Sequence, residues 1–428
     1  MSDHEAPAAT TTSAPVTLHR FWTRERRVGI ALVVTGVVIA VGFGLLAGDR
    51  DASFTFAETT AGSLMSINGR LGAVLFGLLG AAFAGLLLLP GAKRWTGLLL
   101  TASLVPMVIA FLCWQLSQAT LSVMPLGQVV RDSMLLALPL IFGGLAGVLG
   151  ERSGVINIAI EGQFVVGAFA AAMVATIAAS VWAGIVAAAL GGVLIAALLA
   201  VLAIRYLVDQ IVVGVVLIVF AMGLTGFLFE QLMRMNPSRY NQPSRVPTWQ
   251  VPVLSDLPLV GPLLFRTNIF VYLALALVAV VYYGLFHTRW GLRTRAVGEH
   301  PTAADTVGVR VLGLRYRNVL LGGVLAGIGG ATFTLEATTN FSNGMTAGLG
   351  FIALAAMIFG RWNPIGVLLA ALFFGFCRAL AFYLGTIGSP IPSQFLNMLP
   401  YLATIAAVAG LVGHARAPAA DGKPYVKG

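Results

Sequence analysis

Long apolar runs separated by short polar stretches dominate the chain from residue 28 onward. The first run, Val28–Ala47, follows Arg20, Arg24, Arg26 and Arg27 and carries no charge of its own. Further runs lie at about 71–90, 96–116, 132–150, 160–179, 182–204, 210–231, 268–286, 316–336, 346–360, 364–385 and 393–413. A helix rises about 1.5 Å per residue, so each run of about 20 crosses roughly 30 Å of hydrocarbon. Nothing alternates with the period of two that a barrel strand requires. The pattern predicts an all-α polytopic membrane protein of about twelve transmembrane helices, within bounds of ten to twelve. Two polar segments stand out by length, a proline-rich one at 232–267 and an Arg-rich one at 288–315. Residues 1–18, rich in Ala, Thr, Ser and Pro, read as a disordered tail.

Composition agrees with this pattern. Hydrophobic residues make up 58% of the 428 and charged residues only 10%, against about 25% charged in a soluble domain. The 50 glycines suit close helix packing in a bilayer. A net charge of +10 would admit a nucleic-acid partner, but the bases lie in short loops beside apolar spans. There they set topology, because cytoplasmic loops carry the excess of Lys and Arg. A cytoplasmic start places Lys93, Arg94, Arg152, Arg205, Arg361 and the Arg289–Arg317 loop inside, with both termini cytoplasmic. Arg50, Arg70, Arg131, Arg234, Arg239, Arg245 and Arg266 fall outside. The first run is too long for a signal-peptide core and lacks a small-residue cleavage site. Cys113 and Cys377 lie in apolar runs and belong to no metal-ligand pattern.

Three polar segments carry the candidate chemistry. The first is RWGLRTRAVGEHPTAADTVGVRVLGLRYRN, residues 289–318. His300-Pro301 reads as a helix start, since proline suits the first helical position, and Gly308 suits a left-handed end. The resulting two-turn helix, with Ala303 and Ala304 and flanked by Arg293, Arg295 and Arg310, buries no core of its own. It suits insertion into a groove on another protein; an ordinary basic loop that fixes topology is the other reading. The second segment, residues 147–175, sets Glu151, Arg152, Asn157, Glu161 and Gln163 among apolar residues. Intramembrane carboxylates are costly, so they face a partner or a polar cavity. Glu151 and Arg152 read as membrane-edge charges; Asn157 and Glu161 read as facing a cavity or another helix. Ser153-Gly154 is placed to break the helix. In the third segment, residues 322–366, Gly323 and Gly327 offer a small-residue packing face, as do Gly143 and Gly147. Glu336, Asn340 and Asn343 approach the outer side, where a solvated loop and a solute contact are both open.

These segments resemble the permeases of bacterial ABC importers in the branched-chain amino acid, ribose and nucleoside branch, closest to the nucleoside and simple-sugar subgroup. The family pattern G-x-R-x-R-A-x-G-E-N-P-x-A-A-x-x-x-G is met by Gly291, Arg293, Arg295, Ala296, Gly298, Glu299, Pro301, Ala303, Ala304 and Gly308, with His300 in place of the usual Asn. Glu151-Arg152-Ser153-Gly154-Val155, Asn157-Ile158 and Glu161-Gly162 match a second motif, and Gly350–Ala355 with Gly360-Arg361-Trp362 and Pro364 a third. The likeness spans about residues 130–412. It implies an ABC permease core at 126–413, preceded by an extension at 19–125 with about three helices and followed by a cytoplasmic tail at 414–428.

The resemblance further implies a coupling role for Arg293, Arg295, Gly298, Glu299, His300, Pro301, Ala303, Ala304 and Gly308. A substrate path would pass Asn157, Glu161, Gln163, Glu336 and Asn340. The implied partners are a cytoplasmic ABC ATPase, a second homologous permease, an extracytoplasmic substrate-binding lipoprotein, membrane lipid, and a nucleoside or simple sugar as solute. The chain carries no G-x-x-x-x-G-K-[ST] phosphate loop; it is expected to bind no cofactor itself, ATP being held by the partner. The expected setting is the bacterial plasma membrane. An ion-coupled secondary transporter, acting alone through a group such as Glu161, is the alternative. No H-E-x-x-H or G-x-S-x-G pattern points to an enzyme.

Overall fold

A computed structural model of the chain describes residues 24–56, 64–89, 91–250, 252, 265–398, 401–402 and 416–426. The tail expected over 1–18 and most of the span expected over 393–413 lie outside the described residues. The chain divides into two units, residues 1–52 with 67–118, and residues 53–66 with 119–428.

The first unit holds the helices Arg24–Leu46 (α1), Gly69–Leu86 (α2) and Thr96–Gln118 (α3). Small residues let them touch: a Cβ built on Gly77 would lie 2.8 Å from Ala40, and one on Gly80 2.7 Å from Met107. Ser103 Oγ donates to the Gly80 carbonyl at 2.9 Å, and Phe43 stacks on Trp114 with ring centroids 4.4 Å apart. Short strands, Asp51–Thr55 (β1) and Leu64–Asn68 (β2), lie in the chain between α1 and α2. In the second unit Val123–Pro125 (β3) pairs in parallel with residues 53–55 of β1.

The second unit is built on Leu126–Glu151 (α4), Ile160–Ile177 (α5), Val181–Ala200 (α6), Gln210–Leu228 (α7) and the short Pro237–Tyr240 (α8). Then come the antiparallel strands Thr248–Gln250 (β4) and Arg266–Asn268 (β5), followed by Ile269–His287 (α9), Arg289–Glu299 (α10), Pro301–Thr306 (α11) and Val311–Thr332 (α12). Leu349–Phe359 (α13), Pro364–Thr386 (α14) and Ser393–Asn397 (α15) complete it. α4 and α12 are mostly buried, whereas α6 and α7 present most of their surface outward. The outward side chains of α7, among them Val215, Val216, Val219 and Phe220, are apolar, as lipid contact demands. α6, α7 and α12 each end in a π-helical turn.

Ten helices among the described residues are long and apolar enough to cross a membrane. The span expected over 346–360 differs: α13 has 11 residues, which rise only about 16 Å. It is a half-length helix that begins inside the protein. The reason is the glycine-rich stretch before it, where Gly344 and Gly348 take φ of +74° and +79°. The Arg-rich segment expected as a loop instead forms α10, which Thr288 caps by accepting from the Gly291 amide at 3.2 Å.

Gly327 is the most tightly enclosed glycine among the described residues. A Cβ there would lie 2.1 Å from the Ala188 carbonyl oxygen, and a Cβ on Gly192 would lie 2.2 Å from the Gly323 oxygen. α6 and α12 therefore meet backbone to backbone, along the face predicted from Gly323 and Gly327. Gly327→Ala is expected to destabilise the protein by about 1–3 kcal/mol through overpacking. Gly313→Ala, on the same helix with nothing within 4 Å of the new methyl, is expected to stabilise by up to about 1 kcal/mol. Thermal unfolding of the detergent-solubilised chain, followed by loss of the monodisperse peak, reads both.

Candidate functional site

At one end of the second unit, α4 stops at Glu151 and the chain turns through Arg152, Ser153 and Gly154 (φ +85°). Arg315 of α12, only 2% exposed, reaches this turn and donates from Nε to the Ser153 carbonyl at 3.1 Å. Arg152 donates from Nε to the Trp362 carbonyl at 3.0 Å and from Nη2 to the Arg361 carbonyl at 3.3 Å. Arg361 and Trp362 hold φ of +57° and +53° in the turn between α13 and α14, a strained conformation for side-chain-bearing residues. Trp362 Nε1 donates to Glu151 Oε2 at 2.6 Å. Glu151 and Arg152 are thus not free edge charges; they bind the α4 turn to the α13–α14 turn. Burial lowers the Arg152 pKa, the neighbouring Glu299 carboxylate opposes that shift, and Arg295 adds to it.

The segment α10–α11 is seated on the same end. Gly298 lies so close to the Arg152 carbonyl that a Cβ would come within 2.3 Å of its oxygen. Arg295 rests over the Phe286 ring at 5.1 Å. Trp290 Nε1 donates to Asn318 Oδ1 at 3.1 Å, and Asn318 Nδ2 donates to Thr294 Oγ1 at 3.2 Å, tying α10 to α12. α11 starts with Pro301 at its first position, His300 makes no side-chain cap, and Gly308 follows in the left-handed region at +83°. Ala304 points inward against Val297, Val311 and Tyr425. Ala303, Thr306 and Val307 are exposed, Val307 at 78%. Arg293, Glu299 and His300 are also exposed.

Glu161, fully buried, sits where α5 meets α13. Its Oε1 accepts from Thr346 Oγ1 at 2.6 Å and from the Gly348 amide at 2.9 Å, and its Oε2 accepts from the Gly350 amide at 2.6 Å. The first amides of a helix have no internal partner and carry partial positive charge. The carboxylate therefore caps α13 from another helix. Asn157 and Gln163, also buried, exchange hydrogen bonds of 3.2 and 3.3 Å between their amides.

The far end of this unit contains a cavity of about 720 Å³ lined by Asp132, Leu135, Glu336, Arg378, Phe382 and Asn397 among others. Tyr383 donates to Asp132 Oδ2 at 2.7 Å. Arg245 donates from Nε to the Glu336 carbonyl at 2.9 Å and holds its carboxylate at 3.9 Å. Arg378 makes no hydrogen bond or ion pair with a described residue. Of the five residues expected along a solute path, Glu336 lines this cavity. Asn157, Glu161 and Gln163 are spent on internal bonds elsewhere, and Asn340 is exposed on the α12–α13 loop. Asp132 and Arg378 were missed; the signal was a charge at the edge of one apolar run and another within a later one.

Residues 129–411 match the family described as branched-chain amino acid transport system / permease component. The chain is 41% identical over 310 residues to the nucleoside ABC transporter permease protein NupC of Lactococcus lactis subsp. cremoris, covering 70% of this chain and 96% of that one. It is 39% identical over 309 residues to the guanosine ABC transporter permease protein NupQ of Bacillus subtilis, covering 70% and 97%. No solved structure matches.

Glu161→Gln turns one acceptor oxygen into a donor facing a backbone amide. A loss of about 1–3 kcal/mol in stability is expected, again read by thermal unfolding. An unchanged melting temperature with impaired transport would instead assign the carboxylate to the solute path.

Proposed function

This chain belongs to the family of branched-chain amino acid transport system permease components and is a permease subunit of an ABC importer; from that premise we propose a nucleoside as its solute. Two relatives named for nucleoside and guanosine transport, each matched over nearly its whole length, support that choice. The cavity is of a size suited to a small molecule, within the usual range of about 300–1,000 Å³. Asp132 and Glu336 would accept from ribose hydroxyls and base N–H groups, Arg378 would donate to a base carbonyl, and Phe382 offers a ring face.

One observation carries the coupling reading: α11 is held on one side by its own chain and bare on the other. Ala303, Thr306 and Val307 form a small uncharged knob that would seat in a groove of the cytoplasmic ATPase subunit, which would bind ATP. Arg293 and His300, on the adjoining surface, would border that contact, and Glu299 beside them is committed to the chain's own C-terminal segment. Gly298, Pro301, Ala304 and Gly308 shape the helix rather than meet the partner, and Arg295 braces it through Phe286. The α11 end would thus face the cytoplasm of a bacterial cell, with the described C-terminal residues on that side. A second homologous permease would complete the path and a lipoprotein would deliver the solute outside. An ion-driven reading rested on Glu161, whose two oxygens are already occupied by α13.

Val307→Asp and Ala303→Arg are expected to leave the chain in the membrane but to remove the ATPase subunit from its affinity-purified complex. Guanosine uptake would fall by at least about tenfold, the scale set by losing a central interface contact. Retention of the ATPase subunit by both variants would contradict the docking assignment. Arg378→Gln is expected to cut uptake to a similar extent while the complex stays assembled; normal uptake in this variant would remove the cavity from the path.

A further inference from the structure

The tail-like residues 416–426 lie across the α11 end of the second unit, although nothing in their composition predicts a packed segment. The Ala420 amide donates to the Gly298 carbonyl at 2.9 Å, and the Ala419 amide to Glu299 Oε2 at 3.2 Å. Arg315 Nη1 donates to the Lys423 carbonyl at 2.9 Å, while its Nε holds Ser153. A Cβ on Gly154 would lie 3.0 Å from the Ala420 oxygen, and one on Gly422 would lie 2.8 Å from Ile156. Tyr425, 7% exposed, closes over Ala304 together with Val297 and Val311, and the Asp305 carboxylate faces its hydroxyl. Asp421 lies between Glu151 and Arg315; burial pushes its carboxyl up to about 6, against the lowering effect of a hydrogen bond with Glu151, of the Gly422 amide and of Arg315.

One short segment therefore touches the docking helix, the α4–α5 turn and the buried arginine of α12. α11 has six residues and buries a single alanine, too little to fix its own position. Its inward contact is a four-residue apolar cluster, and the strap contributes the largest member, Tyr425. The α10–α11 segment meets the α4–α5 turn at Gly298, against the Arg152 carbonyl, and the strap meets it at Gly154 and Ile156. That turn leads into α5, whose Glu161 grips α13.

We propose that residues 418–425 are a positioning strap that seats the docking helix α11 and conveys its displacement to the α4–α5 turn, with Tyr425 as the anchor. This rests on the reading of α11 as the ATPase contact.

The test uses the complete importer in liposomes, with its ATPase subunit, second permease and binding protein, and guanosine as the probe. Tyr425→Ala is expected to reach the membrane and to keep the ATPase subunit. The ratio of guanosine-stimulated to unstimulated ATP hydrolysis, and uptake per assembled complex, are expected to fall about fivefold or more, the lower end of typical coupling between sites. Tyr425→Phe keeps the ring and is expected to restore both. Wild-type stimulation in Tyr425→Ala and in a chain ending at Arg416 would overturn the strap. A loss of uptake that merely tracks the amount of chain in the membrane would overturn it as well, leaving a folding role only. Val307→Asp separates the two readings: if it releases the ATPase subunit while the strap variants behave as wild type, the strap alone fails. If Val307→Asp keeps the subunit, the α11 reading fails first.

Discussion

A helix that begins inside an apolar core exposes amides that no water can satisfy, and Glu161 answers that problem here. α13 covers about half a bilayer and starts beside α5, where the Glu161 carboxylate takes the Thr346 hydroxyl and the amides of Gly348 and Gly350. An unpaired carboxylate and unpaired amides would each be costly in hydrocarbon; together they satisfy one another. Gly350 lets them approach, since a Cβ there would lie 2.6 Å from the Glu161 backbone. With α13 fixed, α4 packs Gly143 against Ala353 and Gly147 against Met357, and the α13–α14 turn comes within reach of Arg152. The half-helix thus links the deep core to the end that carries α11.

That end is a second economy of polar groups. Buried arginines usually need carboxylates, yet buried Arg315 and half-buried Arg152 donate to backbone carbonyls of sharp turns. Carbonyls at Ser153, Arg361, Trp362 and Lys423 have no helix to bond to, so each guanidinium binds chain breaks, with the Asp421 carboxylate near Arg315 and the Glu299 carboxylate near Arg152. The arrangement holds four separate stretches of sequence in one place and leaves α11 on top of them with its outer face bare.

Most of the helical frame was legible because apolar length reports directly on a bilayer solvent. α11 was legible too, because Pro301 and Gly308 mark a start and a stop with local physics. The sequence predicts a span over 346–360, since Leu349–Phe359 and its apolar flanks look alike in composition and only the positive-φ glycines betray the break. Glu161 reads as a cavity or helix contact from its cost alone; that it takes the Gly350 amide of a helix 189 residues away in sequence is information held by tertiary packing. The same holds for Tyr425 and Asp421, which sit in a stretch with no periodicity, and for Arg378, whose neighbours in the cavity come from distant helices.

Guanosine uptake into sealed vesicles containing the whole importer separates ATP-driven from ion-driven transport. One arm inactivates the phosphate loop of the ATPase subunit, and the other dissipates ion gradients with an ionophore. For an ABC importer, uptake is expected to stop when ATP hydrolysis stops and to continue when the gradients are gone. Uptake that survives the inactive ATPase and collapses with the ionophore would contradict that expectation and make this chain a secondary transporter.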